Sequence, residues 1–155
     1  MSALCDFAKT YGPAAGRFLI TLLFLRSAFG KITGFTAVSG MMAKKGMPFA
    51  EVFLVGAIVL EIAGSLMILL GWHARLGALL LAIFLIPATL IFHNFWAVDP
   101  AQLREVVNQT NHFYKNVSIL GALVFIMGVG SGALSVRPER GDTAPGRREG
   151  VGPAT

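Results

Sequence analysis

Glu61 and Arg26 are the residues whose type and position first suggest chemistry. Glu61 lies in the middle of an apolar run from Val52 to Leu70, and Arg26 lies at a similar depth in the run before it. Runs of this length read as membrane-spanning helices. A charge inside such a helix costs about 2.5–3.5 kcal/mol on insertion scales, so it is paired or faces a polar cavity. With the first helix begun at Ala14 and the second ended at Gly71, Arg26 lies about 18 Å and Glu61 about 15 Å along the bundle. The depths match, and an Arg26–Glu61 ion pair is expected. Ala57, Gly64 and Ser65 share the Glu61 face, and small residues there allow a close helix approach.

A second polar cluster is expected near the outer surface. His93 closes the third apolar run, with Thr89 and Trp96 on its face and Asn94 beside it. Lys31 lies at that height on the first helix, Lys115 and Asn116 open the fourth, and His112 could join them. Histidine passes protons near neutral pH, and lysine and asparagine hold carbonyl oxygens. Each residue also has a plain reading. The acid and arginine can lock packing, the lysines can reach to headgroups, and His93 can be a hydrogen-bonded surface residue. Several polar groups meeting at one level favour a cavity.

Four apolar blocks must position these groups: 14–33, 52–71, 75–96 and 116–136. Each is about 30 Å long as a helix, the thickness of a hydrocarbon core. Trp72 and Trp96 bracket the third as interface anchors. The chain of 155 residues is 55% hydrophobic and 14% charged, which places it in the membrane class as one small domain. The expected fold is all-α: a four-transmembrane-helix bundle over 1–136, with an amphipathic outer loop between helices 1 and 2, and a disordered basic tail over 137–155. A signal peptide in the first block is disfavoured, because Arg26 interrupts it and no small-x-small cleavage site follows before Lys31. The lysine and arginine bias puts both termini in the cytoplasm.

Several classes are excluded. The net charge of +5 comes from the tail and short loops, so no nucleic-acid surface is indicated. Cys5 is the single cysteine, which rules out an internal disulfide or dithiol. His73, His93 and His112 lack metal-ligand spacing, so no metal site is expected. The Gly128–Ala133 stretch fits the letters of a dinucleotide fingerprint but ends an apolar helix instead of following a strand.

Four stretches resemble the DoxX family of small bacterial inner-membrane proteins. They are Leu25-Arg-Ser-Ala-Phe-Gly-Lys31, Lys45-Gly-Met-Pro48, Leu60-Glu-Ile-Ala-Gly64 with Leu69-Leu-Gly71 and Ala74-Arg75, and His93 with Lys115-Asn116. The resemblance implies a four-helix membrane bundle in the bacterial inner membrane. It also implies a link to quinone-coupled redox chemistry or oxidative stress. It carries over Arg26, Lys31, Glu61, His93, Lys115 and Asn116, to which Asn94 is added by adjacency, as a candidate small-molecule site. No cofactor ligand set is evident, so a redox role needs a bound quinone or a redox partner protein. A scaffold that docks partner proteins and a small-molecule transporter are the competing readings. The transporter would have to be a homo-oligomer, since four helices are few.

Overall fold

The computed structural model describes residues 2–137, and these form helices with no strand. The helices are α1 (Ser2–Thr33), α2 (Phe35–Lys44), α3 (Ala50–Leu70), α4 (Ala74–Phe92) and α5 (Leu103–Val129), with a short 3₁₀ turn at Phe95–Ala97. The stretches Ala50–Leu70, Ala74–Ala97 and Leu103–Val129 are long and apolar enough to cross a membrane, and α1 with α2 makes a fourth if that bent pair is one span. The all-α membrane bundle expected from the apolar blocks is therefore the fold. The expected tail lies outside the described residues.

Some boundaries differ from those expected. α1 begins twelve residues before Ala14 and runs through Pro13. α4 ends at Phe92 rather than Trp96, and α5 starts at Leu103 and ends at Val129 rather than spanning 116–136. Hydropathy marks the part of a helix that suits lipid, whereas backbone hydrogen bonding carries the helix on into water. The outer loop is not a loop. It is the ten-residue helix α2, turned 92° from α1. Its apolar side rests on α3, where Met42, Ala50 and Leu54 are buried with Phe35, Val38 and Phe92 around them.

α3 and α4 form the centre of the bundle, with α1 against α3 and α5 against α4. Phe24, Ile68, Leu81, Leu85 and Leu123 bring all four long helices into one core. The centre is held by backbone proximity. A side-chain carbon added to Gly64 would sit 2.8 Å from the Gly77 carbonyl oxygen, and one on Gly77 would sit 2.7 Å from that of Gly64. Without a hydrophobic driving force between helices in lipid, such tight approach supplies dispersion contact. The α3–α4 turn is short because Gly71 adopts φ 65° and closes a double hydrogen bond, Gly71 N–H to Ile68 O and Trp72 N–H to Met67 O.

Arg17 is a structural surprise. As a basic residue near the start of an apolar run it reads as a topology marker, yet it is buried, and Nη2 donates to the carbonyl oxygens of Leu134 (2.7 Å) and Ala133 (3.3 Å). With the Val136 N–H donating to Leu70 O, it fastens the chain after α5 across the end of the bundle. Charge-assisted hydrogen bonds of this kind contribute about 1.5–3 kcal/mol. Arg17→Met is expected to release residues 133–136 while the helices stay packed. Limited proteolysis in detergent checks this: cleavage should appear after α5 before it appears elsewhere.

Candidate functional site

The buried side of α1 runs through Arg17, Thr21, Phe24 and Ala28, a four–three–four spacing that Lys31 continues. That stripe faces α3, whose own buried side carries Leu54, Glu61, Ser65 and Ile68. Helical phase therefore gives Glu61 a different partner from the one its depth suggests. Lys31 Nζ donates to both carboxylate oxygens of Glu61, at 3.0 and 2.9 Å, and to Ser27 Oγ at 2.6 Å. The ammonium also lies 5.0 Å from the centre of the Phe84 ring. Arg26 sits about 140° or more around α1 from this stripe, at 100° per residue. It makes no ion pair among the described residues. The expected Arg26–Glu61 pair is thus replaced by Lys31–Glu61. Lys31 starts higher on α1, but helical side chains lean toward the N-terminus, which brings its ammonium down to the carboxylate.

The expected acid–base meeting point survives with its partner changed. Glu61 is wholly enclosed, while the Lys31 side chain is 19% exposed. The exposed part faces a cavity of about 1040 Å³ between the helices. Its walls include Arg26, Lys31, Glu61, His93, Lys115 and Asn116, so six of the seven candidate residues share one space. Asn94 does not line it. The backbone of Asn94 instead starts the 3₁₀ turn, where its carbonyl accepts from Ala97 N–H at 2.9 Å.

The α4–α5 wall carries a hydrogen-bonded relay. Gln109 Nε2 donates to Glu105 Oε1 at 2.6 Å, which turns Gln109 Oε1 toward His93 Nδ1 at 2.8 Å. An amide oxygen only accepts, so His93 Nδ1 carries a proton, and in the neutral ring Nε2 is left as an acceptor. Lys115 Nζ lies 3.0 Å from His112 Nδ1. An ammonium only donates, so His112 has the opposite tautomer, with Nε2–H as a donor. The two rings stack at 5.0 Å and 18°. The stacked pair therefore carries one acceptor nitrogen and one donor N–H. Deeper in the wall, Asn116 Nδ2 donates to Thr89 Oγ1 at 3.0 Å, and Thr89 donates to the Leu85 carbonyl at 2.7 Å.

Sequence reasoning did not single out Ser27, Phe84, Glu105 or Gln109. Ser27 and Lys31 are four apart on α1, and Glu105, Gln109, His112 and Asn116 follow four–three–four spacing. That spacing was the available signal, but 97–114 reads as a polar, part-helical outer loop and not as one continuous helix with 116–136, which does not put these residues on a shared face. Among the described residues no group of three or more His, Cys, Asp or Glu is placed to hold a metal ion.

Comparison with known proteins gives consistent relatives. The DoxX family model matches residues 12–94. The chain is 30% identical over 125 residues to the inner membrane protein YphA of Escherichia coli, covering 77% of this chain and 84% of that protein. It is 34% identical over 125 residues to the inner membrane protein YqjF of the same organism, covering 81% and 88%. A more distant likeness, 28% over 131 residues, is to the ER-derived vesicles protein ERV29 of Saccharomyces cerevisiae, covering 84% of this chain but 34% of that one. No solved structure matches.

Proposed function

The chain belongs to the DoxX family of integral membrane proteins, and we propose that it serves in the inner membrane as the small-molecule-binding subunit of a quinone-linked redox system. The observation that carries this reading is the pair of stacked imidazoles on the cavity wall, one with an acceptor nitrogen and one with a donor N–H. A quinone carbonyl accepts a hydrogen bond, and the hydroxyl of its reduced form can donate one. The two histidines offer a partner to each state without rearranging. Electrons would come from a redox partner protein, since the described side chains hold no redox group of their own. The apolar walls, with Phe24, Phe84 and Phe92, suit the body of such a molecule.

The test is quinone extraction from protein purified out of native membranes, followed by titration with decylubiquinone in detergent. Wild type should bind saturably. His93→Leu should weaken binding about tenfold, equal to about 1.4 kcal/mol. Gln109→Leu should weaken it less, because His93 then loses the partner that sets its tautomer. No co-purified quinone together with no saturable binding by wild type would end this reading and favour a scaffold or transporter.

Both termini are proposed to face the cytoplasm, on the lysine and arginine bias. Cys5 is exposed and is a natural reporter. A membrane-impermeant maleimide should label it in inverted vesicles and leave it unlabelled in intact spheroplasts.

A further inference from the structure

We infer that the α1–α2 side of the cavity binds the acidic head group of a membrane amphiphile, through Arg26 and Lys45. The inference rests on reading the cavity as a ligand site, and it assigns that site a second, anionic subsite. The cavity is lined by four cations, Arg26, Lys31, Lys45 and Lys115, and by two carboxylates, Glu61 and Glu105. Both carboxylates are engaged, Glu61 by Lys31 and Glu105 by Gln109. Arg26, Lys45 and Lys115 are thus left without a carboxylate partner among the described residues. Lys115 is held on the α5 side by His112, and on the α1–α2 side the Lys45 ammonium lies 5.8 Å from the centre of the Phe92 ring.

The surroundings of Arg26 make this surplus meaningful. Its α1 neighbours Leu22, Leu23, Phe29 and Ile32 are all exposed, which marks that flank as lipid-facing. Arg26 lies seven residues before the end of α1, roughly 10 Å below it. A guanidinium at that depth is costly unless an anion meets it. Gly30, one turn on, gives the guanidinium room. A side-chain carbon there would lie 3.3 Å from Arg26 Nη1. Guanidinium groups hold carboxylates and phosphates through two parallel hydrogen bonds. Leu23, Val38, Met41 and Phe92 line the same space and would cover an acyl chain. Leu23 and Met41 line the cavity and are themselves exposed, so the space reaches the outer surface of the bundle on this side.

Three probes with one tail test this in maltoside micelles: dodecanoate, dodecyl phosphate and dodecanol. The two acids should bind wild type at least tenfold more tightly than the alcohol. Arg26→Gln should abolish most of that ratio, Arg26→Lys should keep part of it, and Lys45→Gln should reduce it severalfold. Monodisperse elution shows that each variant folds, and the wild-type acid-to-alcohol ratio needs no variant. Native mass spectrometry after reconstitution separates the sources. Arg26-dependent retention of phosphatidylglycerol over phosphatidylcholine assigns a lipid head group, and retention of the single-chain acids alone assigns a free acid. Equal binding of acid and alcohol, or a ratio unchanged by Arg26→Gln, overturns the inference and leaves Arg26 reaching only to bulk headgroups. If the acids fail while decylubiquinone still binds, the anionic subsite alone is wrong. If neither binds, the ligand-site reading falls with it.

Discussion

Lys31→Met is expected to destabilise the protein by about 3 kcal/mol, more than Glu61→Gln does. Removing one partner of a buried ion pair typically costs 3–5 kcal/mol because the other charge stays behind. The two sides of this pair are not equivalent. Glu61 has no exposed surface and Lys31 is its ion-pair partner, so without Lys31 its charge is left unpaired on a short side chain at the inner wall of the cavity. Lys31 borders the cavity, so without the Glu61 charge its ammonium can swing toward that space while still donating to Ser27. The double variant Lys31→Met with Glu61→Leu should recover much of the loss, since an apolar pair of similar volume is often as stable as a buried salt bridge. Equilibrium unfolding in mixed micelles with increasing dodecyl sulfate measures all three. Equal losses for the two single variants, or a double variant no better than the worse single, would contradict this account of the pair.

Gly64→Val should be at least as damaging, and it acts by geometry alone. The first added carbon would meet the Gly77 carbonyl oxygen at 2.8 Å and Leu81 Cγ at 2.8 Å. The leucine could turn aside, but the carbonyl belongs to the α4 backbone and cannot move without separating the helices. Overpacking costs about 1–3 kcal/mol where side chains can yield and more where they cannot. A loss of about 4 kcal/mol or failure to accumulate in the membrane is expected. Gly56 and Gly121 provide the contrast, because nothing lies within 4 Å of a carbon added to either. Alanine at those positions should be neutral or stabilising by up to about 1 kcal/mol, from helix propensity. Similar behaviour of the Gly64 and Gly56 variants would refute the close α3–α4 crossing.

Much of the architecture is legible without coordinates, and the reason is solvent. Backbone hydrogen bonds must close inside any segment that crosses lipid, so a long apolar run has few alternatives to a helix. That reasoning finds α3 to within a few residues, and the core of α1 and α4. At α5 it finds the apolar part and a part-helical polar stretch before it, but not that the two are one continuous helix carrying Gln109 and His112. It also fails between α1 and α3, where the amphipathic segment is a helix and not a loop. In both places helical periodicity was present while hydropathy pointed elsewhere.

The candidate site divides along a similar line. Residue types and depth set Lys31, His93, Lys115 and Asn116 at one outer level and Glu61 with Arg26 deeper in the bundle; it is the structure that joins the two groups, through Lys31 and the shared cavity. Depth alone could not choose between Arg26 and Lys31 as the partner of Glu61. Rotation about the α1 axis made that choice, and the rotation follows from packing Thr21, Phe24 and Ala28 against the rest of the bundle. The tautomers of His93 and His112 depend in turn on Gln109 and Lys115 arriving within hydrogen-bond range, which is a matter of how α4 and α5 dock. Apolar blocks and stranded charges were enough to specify a membrane bundle with a polar interior. Which cation closes on the carboxylate, and which is left facing open space, was decided only when the helices settled their phases against one another, since a helix presents each side chain in a single direction.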